Sequence, residues 1–391
     1  VDEVLRGIRA RAALQQPDWP DTARAERAGR ELAARPALVR PADLRRLRAA
    51  LARVAAGEAL VVQAGDCAED PAESTFGDVA RKAALLDLLA GTLRMNAHRP
   101  VLRAGRIAGQ YTKPRSRPTE TVGDTVLPVF RGHLVNSPEP DPEARRPDPG
   151  RLLDGHRAAA TVMEHLGWRG PQAAHEPVGA PVWTSHEALL LDYELPQLRT
   201  DERGGLFLGS THWPWIGERT RALDGAHVAL LAAVGNPVAC KVGPAMEPDE
   251  LVALCARLDP DREPGRLTLI ARMGADRVAG RLPRLVAAVR ESGHPVIWLT
   301  DPMHGNTVAA PDGNKTRYVD TVVREVRGFQ EAVTGAGGVC GGLHLETTPN
   351  DVTECVSHDV GPDRVGDKYT TFCDPRLNPR QALSVVAAWQ A

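Results

Sequence analysis

Four residues of metal-binding type stand at the ends of separate short segments: Cys67, His304, Glu346 and Asp374. Cys67 ends VVQAGDC, His304 ends VIWLTDPMH, Glu346 ends GGLHLE, and Asp374 follows in FCDPRLN. Ligands this dispersed exclude a zinc finger, whose ligands come in tight local pairs. They suit a catalytic site built where several strands end together. A thiolate, an imidazole and two carboxylates form a mixed soft and hard set. Such a set fits Mn²⁺, Co²⁺, Fe²⁺ or Zn²⁺ better than Ca²⁺. An ion held with an open coordination position can polarise a substrate carbonyl.

Cations collect at the same places. Apolar runs end in or lead to Arg106, Lys113 and Arg115 with Ser116, Glu218 with Arg219, Lys241, and Arg272. A strand interior that closes on an unpaired cation is costly unless an anion meets it. Arg grips phosphate and carboxylate in a planar, bidentate way, and Lys adds a point charge. The formal net charge is −2, so the cluster is local and the chain is not a general nucleic-acid or anionic-membrane binder.

Taken singly, each position has a plainer reading. Cys240, Cys255, Cys340 and Cys355 read as buried small hydrophobes. Glu187 and Asp192 read equally well as helix-start and surface charges. His344 shares a strand face with Glu346 and either lines the site or supports it. GRIAGQ and GAGG are too loose for nucleotide loops. Convergence is what favours a site.

The elements that must position these residues are strands alternating with helices. Strand-like runs are 59–65, 100–107, 181–186, 206–211, 237–243, 267–273, 295–301 and 339–346. Helical patterns between them include DVARKAALLDLLAGTLR, HEALLLDYELPQL, PDELVALCARL and RYVDTVVREVRGFQEAV. Eight such units predict an α/β (β/α)₈ barrel, with an open doubly wound sheet as the alternative. Residues 1–56 read as an N-terminal helical extension and 57–391 as the barrel. A long, Pro-rich and acidic insertion after the second strand reads as a lid or binding loop.

With 42% hydrophobic and 25% charged residues over 391 positions, the chain reads as folded. No apolar run approaches a membrane span, and the opening VDEVLRGIRARAAL is no secretory signal. The first residue, Val1, leaves room for preceding sequence. Six scattered cysteines without a CxxC pair predict free thiols and a cytoplasmic location.

The segments GDCAE, GRIAGQYTKPRS, TSHEALLLDYE, WIGERTRALDGAH, NPVACKVGP, LTLIARMG, DPMHGNT, GGLHLETTPNDVTEC and CDPRLN, in this order, resemble the class II 3-deoxy-D-arabino-heptulosonate 7-phosphate (DAHP) synthases. The resemblance runs over nearly the whole chain. It implies condensation of phosphoenolpyruvate with erythrose 4-phosphate. It also implies a divalent metal, Mn²⁺ or Co²⁺, on Cys67, His304, Glu346 and Asp374. Arg106, Glu218, Arg219, Lys241 and Arg272 match the phosphoenolpyruvate site, and Lys113, Arg115 and Ser116 match the region that meets the sugar phosphate. Lys113, Glu218 and His304 are the catalytic candidates: a proton from Lys113 or from water at His304, and Glu218 to orient the attacking water. Oxidation is expected to join Cys67 to Cys373.

The chain resembles the short form of secondary-metabolite pathways, with weak feedback inhibition, a homo-oligomeric state and a chorismate mutase partner as further implications. In FRGHLVNS, His133 stands where the family is expected to carry an acid. That leaves an amino-sugar variant, using an imino-erythrose 4-phosphate, as the rival. A non-catalytic barrel scaffold is the third reading.

Overall fold

The β-branched and aliphatic runs form eight short parallel strands, as the alternation predicts. In the computed structural model, which describes residues 1–170 and 179–391, these are β1 Leu60–Gly65, β2 Val101–Arg106, β3 Val182–Ser185, β4 Trp215–Ile216, β5 Val238–Val242, β6 Leu267–Ala271, β7 Ile297–Thr300 and β8 Cys340–Glu346. They pair in the order β3-β2-β1-β8-β7-β6-β5-β4. A parallel bridge between Glu187 and Trp215 joins the two end strands, and Trp213 N–H donates to the Thr184 carbonyl at 3.1 Å. The result is a nearly closed (β/α)₈ barrel.

Helices α1 Asp2–Arg9, α2 Thr22–Ala34 and α3 Pro41–Ala55 precede the barrel. Leu47, Leu51 and Val54 of α3 share one apolar cluster with Val61, Ala239, Ile270 and Ile297 from the barrel strands. The extension is therefore packed into the barrel's own core. The outer helices are α4 Phe76–Ala97, α5 Gly150–His165, α6 Leu191–Glu194, α7 Ala226–Ala233, α8 Pro248–Leu258, α9 Val278–Glu291, α10 Val319–Gly335 and α11 Pro379–Ala387. Their caps follow local rules: Thr75 accepts from the Asp78 N–H at the start of α4, and Asn378 with Gln381 forms a capping box on α11. Among the described residues, no helix is long and apolar enough to cross a membrane.

Two expected elements differ. The run 206–211 is not a barrel strand: Leu206–Leu208 pairs antiparallel with Leu198–Thr200, and the fourth barrel strand is the two-residue Trp215–Ile216. Periodicity could not separate two apolar runs this close together, and the indoles of Trp213 and Trp215 are both fully buried. HEALLLDYELPQL is mostly non-helical. Only Leu191–Glu194 is α-helical, followed by a 3₁₀ turn over Leu195–Gln197, because Pro196 lacks the N–H that a longer helix needs. The insertion after β2 carries an antiparallel hairpin, Thr119–Val122 with Thr125–Pro128.

Register sets the rim of the barrel. Gly65 of β1 lies level with Arg106 of β2 and with Glu346 of β8. Side chains at that level face the barrel mouth together, since faces alternate along a strand. Gly65 has φ +152, and a Cβ there would meet the Arg106 carbonyl oxygen at 2.7 Å. A side chain at 65 would crowd the strands that bring Arg106 and Glu346 into contact.

Candidate active site and metal centre

A polar chain fills the barrel below the rim. Ser185 Oγ donates to the Trp213 carbonyl at 2.6 Å, and Gln63 Nε2 donates to Ser185 Oγ at 2.6 Å. His344 Nδ1 donates to Gln63 Oε1 at 2.6 Å, which leaves His344 Nε2 to accept from Arg106 Nη1 at 2.6 Å. Arg106 also donates to Glu346 Oε1 at 3.1 Å and lies over the Trp215 ring at 5.2 Å. His344 is thus a support for Arg106, fixed in one tautomer. Burial and the neighbouring Lys241 and Arg106 hold its pKa well below the usual histidine range.

Above this chain the dispersed acids and thiol meet. Ligand atoms of Cys67, Glu346 and Asp374 lie within 4.8 Å of one another, a set that could hold a metal ion. His304 Nε2 approaches Glu346 Oε1 at 3.2 Å. Lys113 Nζ stands at 2.8 Å from Cys67 Sγ, 3.2 Å from Glu346 Oε1, 2.9 Å from Asp374 Oδ2 and 3.4 Å from His304 Nε2. The four donors therefore already surround one positive charge. That placement and the mixed thiolate, imidazole and carboxylate chemistry fit a borderline divalent ion. Burial opposes ionisation of Glu346, but His304, Lys113 and Arg317 outweigh it and hold its pKa well below the carboxylate range. The Cys373 thiol is lowered by its hydrogen bond with Cys67, and all six cysteines are free.

The predicted anion binders line one cavity of about 670 Å³. Arg106, Lys113, Arg115, Ser116, Glu218, Arg219, Lys241 and Arg272 all face it, together with His304 and Asp374. Arg219 Nη2 donates to Ser116 Oγ at 2.6 Å, and Arg115 pairs with Glu120 at 2.8 Å. Glu218 accepts from Arg221 at 3.0 Å. Lys241, nearly enclosed, pairs with Asp301.

Four further residues stand at the site without having been assigned to it from the sequence. Glu187 lines the cavity, with Oε1 buried and without a hydrogen-bond partner among the described residues. Burial raises its pKa against the pull of Lys113, Lys241 and Arg106. Its position at a strand end was the available signal. Asp301 and Lys315 contact His304 and Asp374 respectively, at 2.7 and 2.8 Å. Arg317, fully buried, pairs with Glu346 Oε2 at 2.9 Å, and no local pattern marks it. Conversely, His133 is not among the residues lining the cavity. Its ring packs edge-on to Phe130 and Phe372, and Nδ1 lies 3.1 Å from the Glu69 carbonyl. His133 is thus held among aromatic side chains.

A metal-capable cluster beside an arginine- and lysine-lined cavity, at the C-terminal ends of eight parallel strands, defines a barrel of the enzyme type. The model of the class-II DAHP synthetase family matches residues 4–170 and 168–389, and the chain belongs to that family. It is 58% identical over its full length to a Pseudomonas fluorescens protein named "Probable phospho-2-dehydro-3-deoxyheptonate aldolase", 98% of which is covered. A Streptomyces coelicolor phospho-2-dehydro-3-deoxyheptonate aldolase is 41% identical over 95% of this chain and 93% of its own. Among solved structures, a phospho-2-dehydro-3-deoxyheptonate aldolase from Francisella tularensis superposes with a TM-score of 0.50 at 12% identity, over 92% of this chain and 91% of that one. That likeness concerns the fold.

Proposed function

We propose that the chain condenses phosphoenolpyruvate with erythrose 4-phosphate and water, giving DAHP and inorganic phosphate. One observation carries this reading: a donor cluster able to hold a metal opens onto the same cavity as eight arginine and lysine side chains. Arg219, Lys241 and Arg272 hold the phosphate of phosphoenolpyruvate, and Arg106 with Lys113 meets its carboxylate. Arg115 and Ser116 receive the sugar phosphate. A divalent ion on Cys67, His304, Glu346 and Asp374, Mn²⁺ or Co²⁺ by family resemblance, would supply polarisation of the aldehyde.

The enol carbon attacks that aldehyde, and Lys113 hands a proton to the oxygen that becomes negative. Glu218 orients the water that adds to the second carbon of the former phosphoenolpyruvate. Phosphate then leaves with cleavage of its carbon–oxygen bond. His304 takes part through its place among the donors.

Near-complete coverage of a 58%-identical relative supports an ordinary catalytic member. Residues 1–56 are an extension of the catalytic unit 57–391. The finer assignments are that the enzyme is a secondary-metabolite form with weak feedback control, works as a cytoplasmic homo-oligomer, and docks a chorismate mutase. Free thiols support the reducing compartment. Purified protein given both substrates and Mn²⁺ should release phosphate and form heptulosonate, and a chelator should abolish both. Absence of heptulosonate with active phosphoenolpyruvate binding would instead favour the amino-sugar substrate, and absence of any metal-dependent turnover the scaffold. Micromolar inhibition by Phe, Tyr or Trp would refute weak feedback.

A further inference from the structure

Asp301 stands between the two halves of the site. It follows directly on β7 and is fully buried. Its Oδ2 accepts from His304 Nδ1 at 2.7 Å and from the ammonium of Lys241. Its Oδ1 accepts from the Met303 N–H at 3.1 Å and the His304 N–H at 3.3 Å. The second pair of bonds fixes the carboxylate plane, so Oδ2 cannot turn towards one partner at the expense of the other. One oxygen is thereby shared between the imidazole of a proposed metal ligand and the cation of a proposed phosphate binder.

We propose that Asp301 is a positioning residue that couples metal binding at His304 to phosphoenolpyruvate binding at Lys241, so that each ligand tightens the other. This rests on the reading of the site given above. With Nδ1–H committed to Asp301, His304 presents Nε2 towards Glu346 at 3.2 Å, the nitrogen available to an ion. A cation at Nε2 makes Nδ1–H a stronger donor and draws the charge of Asp301 towards His304. Lys241 is then less neutralised and offers more of its charge to phosphate. In the other direction, a phosphate on Lys241 leaves Asp301 to His304 and makes Nε2 a better donor to the ion. Direct attraction between a dication and a multiply charged anion also couples the ligands, and the test must separate the two routes.

Mn²⁺ and phosphoenolpyruvate are titrated calorimetrically onto the full chain, each alone and with the other saturating. In the wild type each should tighten the other by one common factor, on the order of 10- to 100-fold, as linkage requires. Asp301→Asn retains the size of the side chain but not its charge. It should weaken Mn²⁺ about 10- to 100-fold and lower the common factor at least about fivefold.

A second comparison needs no Asp301 variant. Lys241→Met removes the competing partner of Asp301. Arg272→Met removes a cation that also lines the cavity but donates to the His304 carbonyl at 3.3 Å. Mn²⁺ alone should bind more tightly to Lys241→Met than to Arg272→Met, by at least about threefold if the relay contributes within the usual coupling range. Equal affinities in those two variants, or an unchanged coupling factor in folded Asp301→Asn, overturn the relay while leaving the site reading intact. Failure of the wild type to bind either probe overturns the site reading, and the relay with it. If Asp301→Asn loses its native circular dichroism, the Lys241 and Arg272 comparison decides alone.

Discussion

Lys113 belongs to both halves of the site at once. Its ammonium touches the donor cluster and also faces the cavity. Glu346 keeps Arg106 and Arg317 as partners without it, so Lys113→Met should leave the barrel folded. The expected cost is a drop in kcat of about 10²- to 10⁴-fold, the usual contribution of a positioned proton donor. Phosphate release under saturating substrates measures it; a rise in KM with kcat unchanged would remove Lys113 from the proton transfer and leave it a binding role. At this scale the residue types were legible because Cys, His, Glu and Asp at strand ends have few other joint uses. Asp301 was not legible as a shared acceptor, because nothing local in DPMH says that its carboxylate meets Lys241 across two strands.

The rim depends on one irregularity in β8. Pairing with β7 shifts between Trp298 and Leu299, which face Cys340 and Gly342 and leave Gly341 as the extra residue. Gly342 has φ +134, and a Cβ there would lie 1.9 Å from the Val61 carbonyl oxygen. Gly342→Ala should therefore destabilise the barrel by about 3 kcal/mol or more, through strain at a glycine conformation and collision with β1. Urea unfolding measures the loss, and a change below about 1 kcal/mol would show that β1 and β8 can part without cost.

On the other side of the barrel, buried His212 packs against Trp168 and Trp183, and its Nδ1 accepts from the Thr184 N–H at 3.3 Å. Burial, with Arg40 and Arg46 nearby, lowers its pKa from 6.5 to about 3. The folded state thus binds fewer protons than the unfolded chain between those values. Its stabilising contribution is complete above pH 6.5 and is lost as pH falls towards 3, at about 1.4 kcal/mol per unit of displacement. Unfolding free energy measured from pH 7 to 4 should decline, and His212→Gln should flatten the decline. The GG of VCGGLHLE lay inside a run read only as a strand, and its irregular register with β7 was not legible.

For the molecule as a whole, the donors come from the loops after β1 and β7, the end of β8 and the segment before α11, so an ion bound to them ties together parts of the chain far apart in sequence. Mn²⁺ at about a hundred times its dissociation constant should stabilise the fold by about 2.7 kcal/mol. Thermal melts with and without chelator test this, and Cys67→Ser should remove most of the difference; an unshifted Tm would mean the cluster does not hold the ion. The same topology explains the N-terminal segment. Gln15 Oε1 accepts the Arg115 N–H at 2.8 Å, and Arg131 Nη2 donates to the Gln15 carbonyl at 2.6 Å. The segment between α1 and α2 thus braces the loop that carries Arg115 and Ser116.

By itself the sequence determined the alternation of strands and helices, the residue types at the strand ends, and the family resemblance, because hydrophobic period and ligand chemistry are local properties. It could not determine which of two nearby apolar runs enters the barrel, nor that His133 turns to Phe130 and Phe372 instead of the cavity. It could not show that Asp301, Lys315 and Arg317 stand behind the donor cluster. Those are matters of register and packing between segments distant in the chain. Cys67, His304, Glu346 and Asp374 began as scattered strand-end residues, and only closure of the barrel, which brings the ends of β1, β7 and β8 to one rim, made them a single cluster.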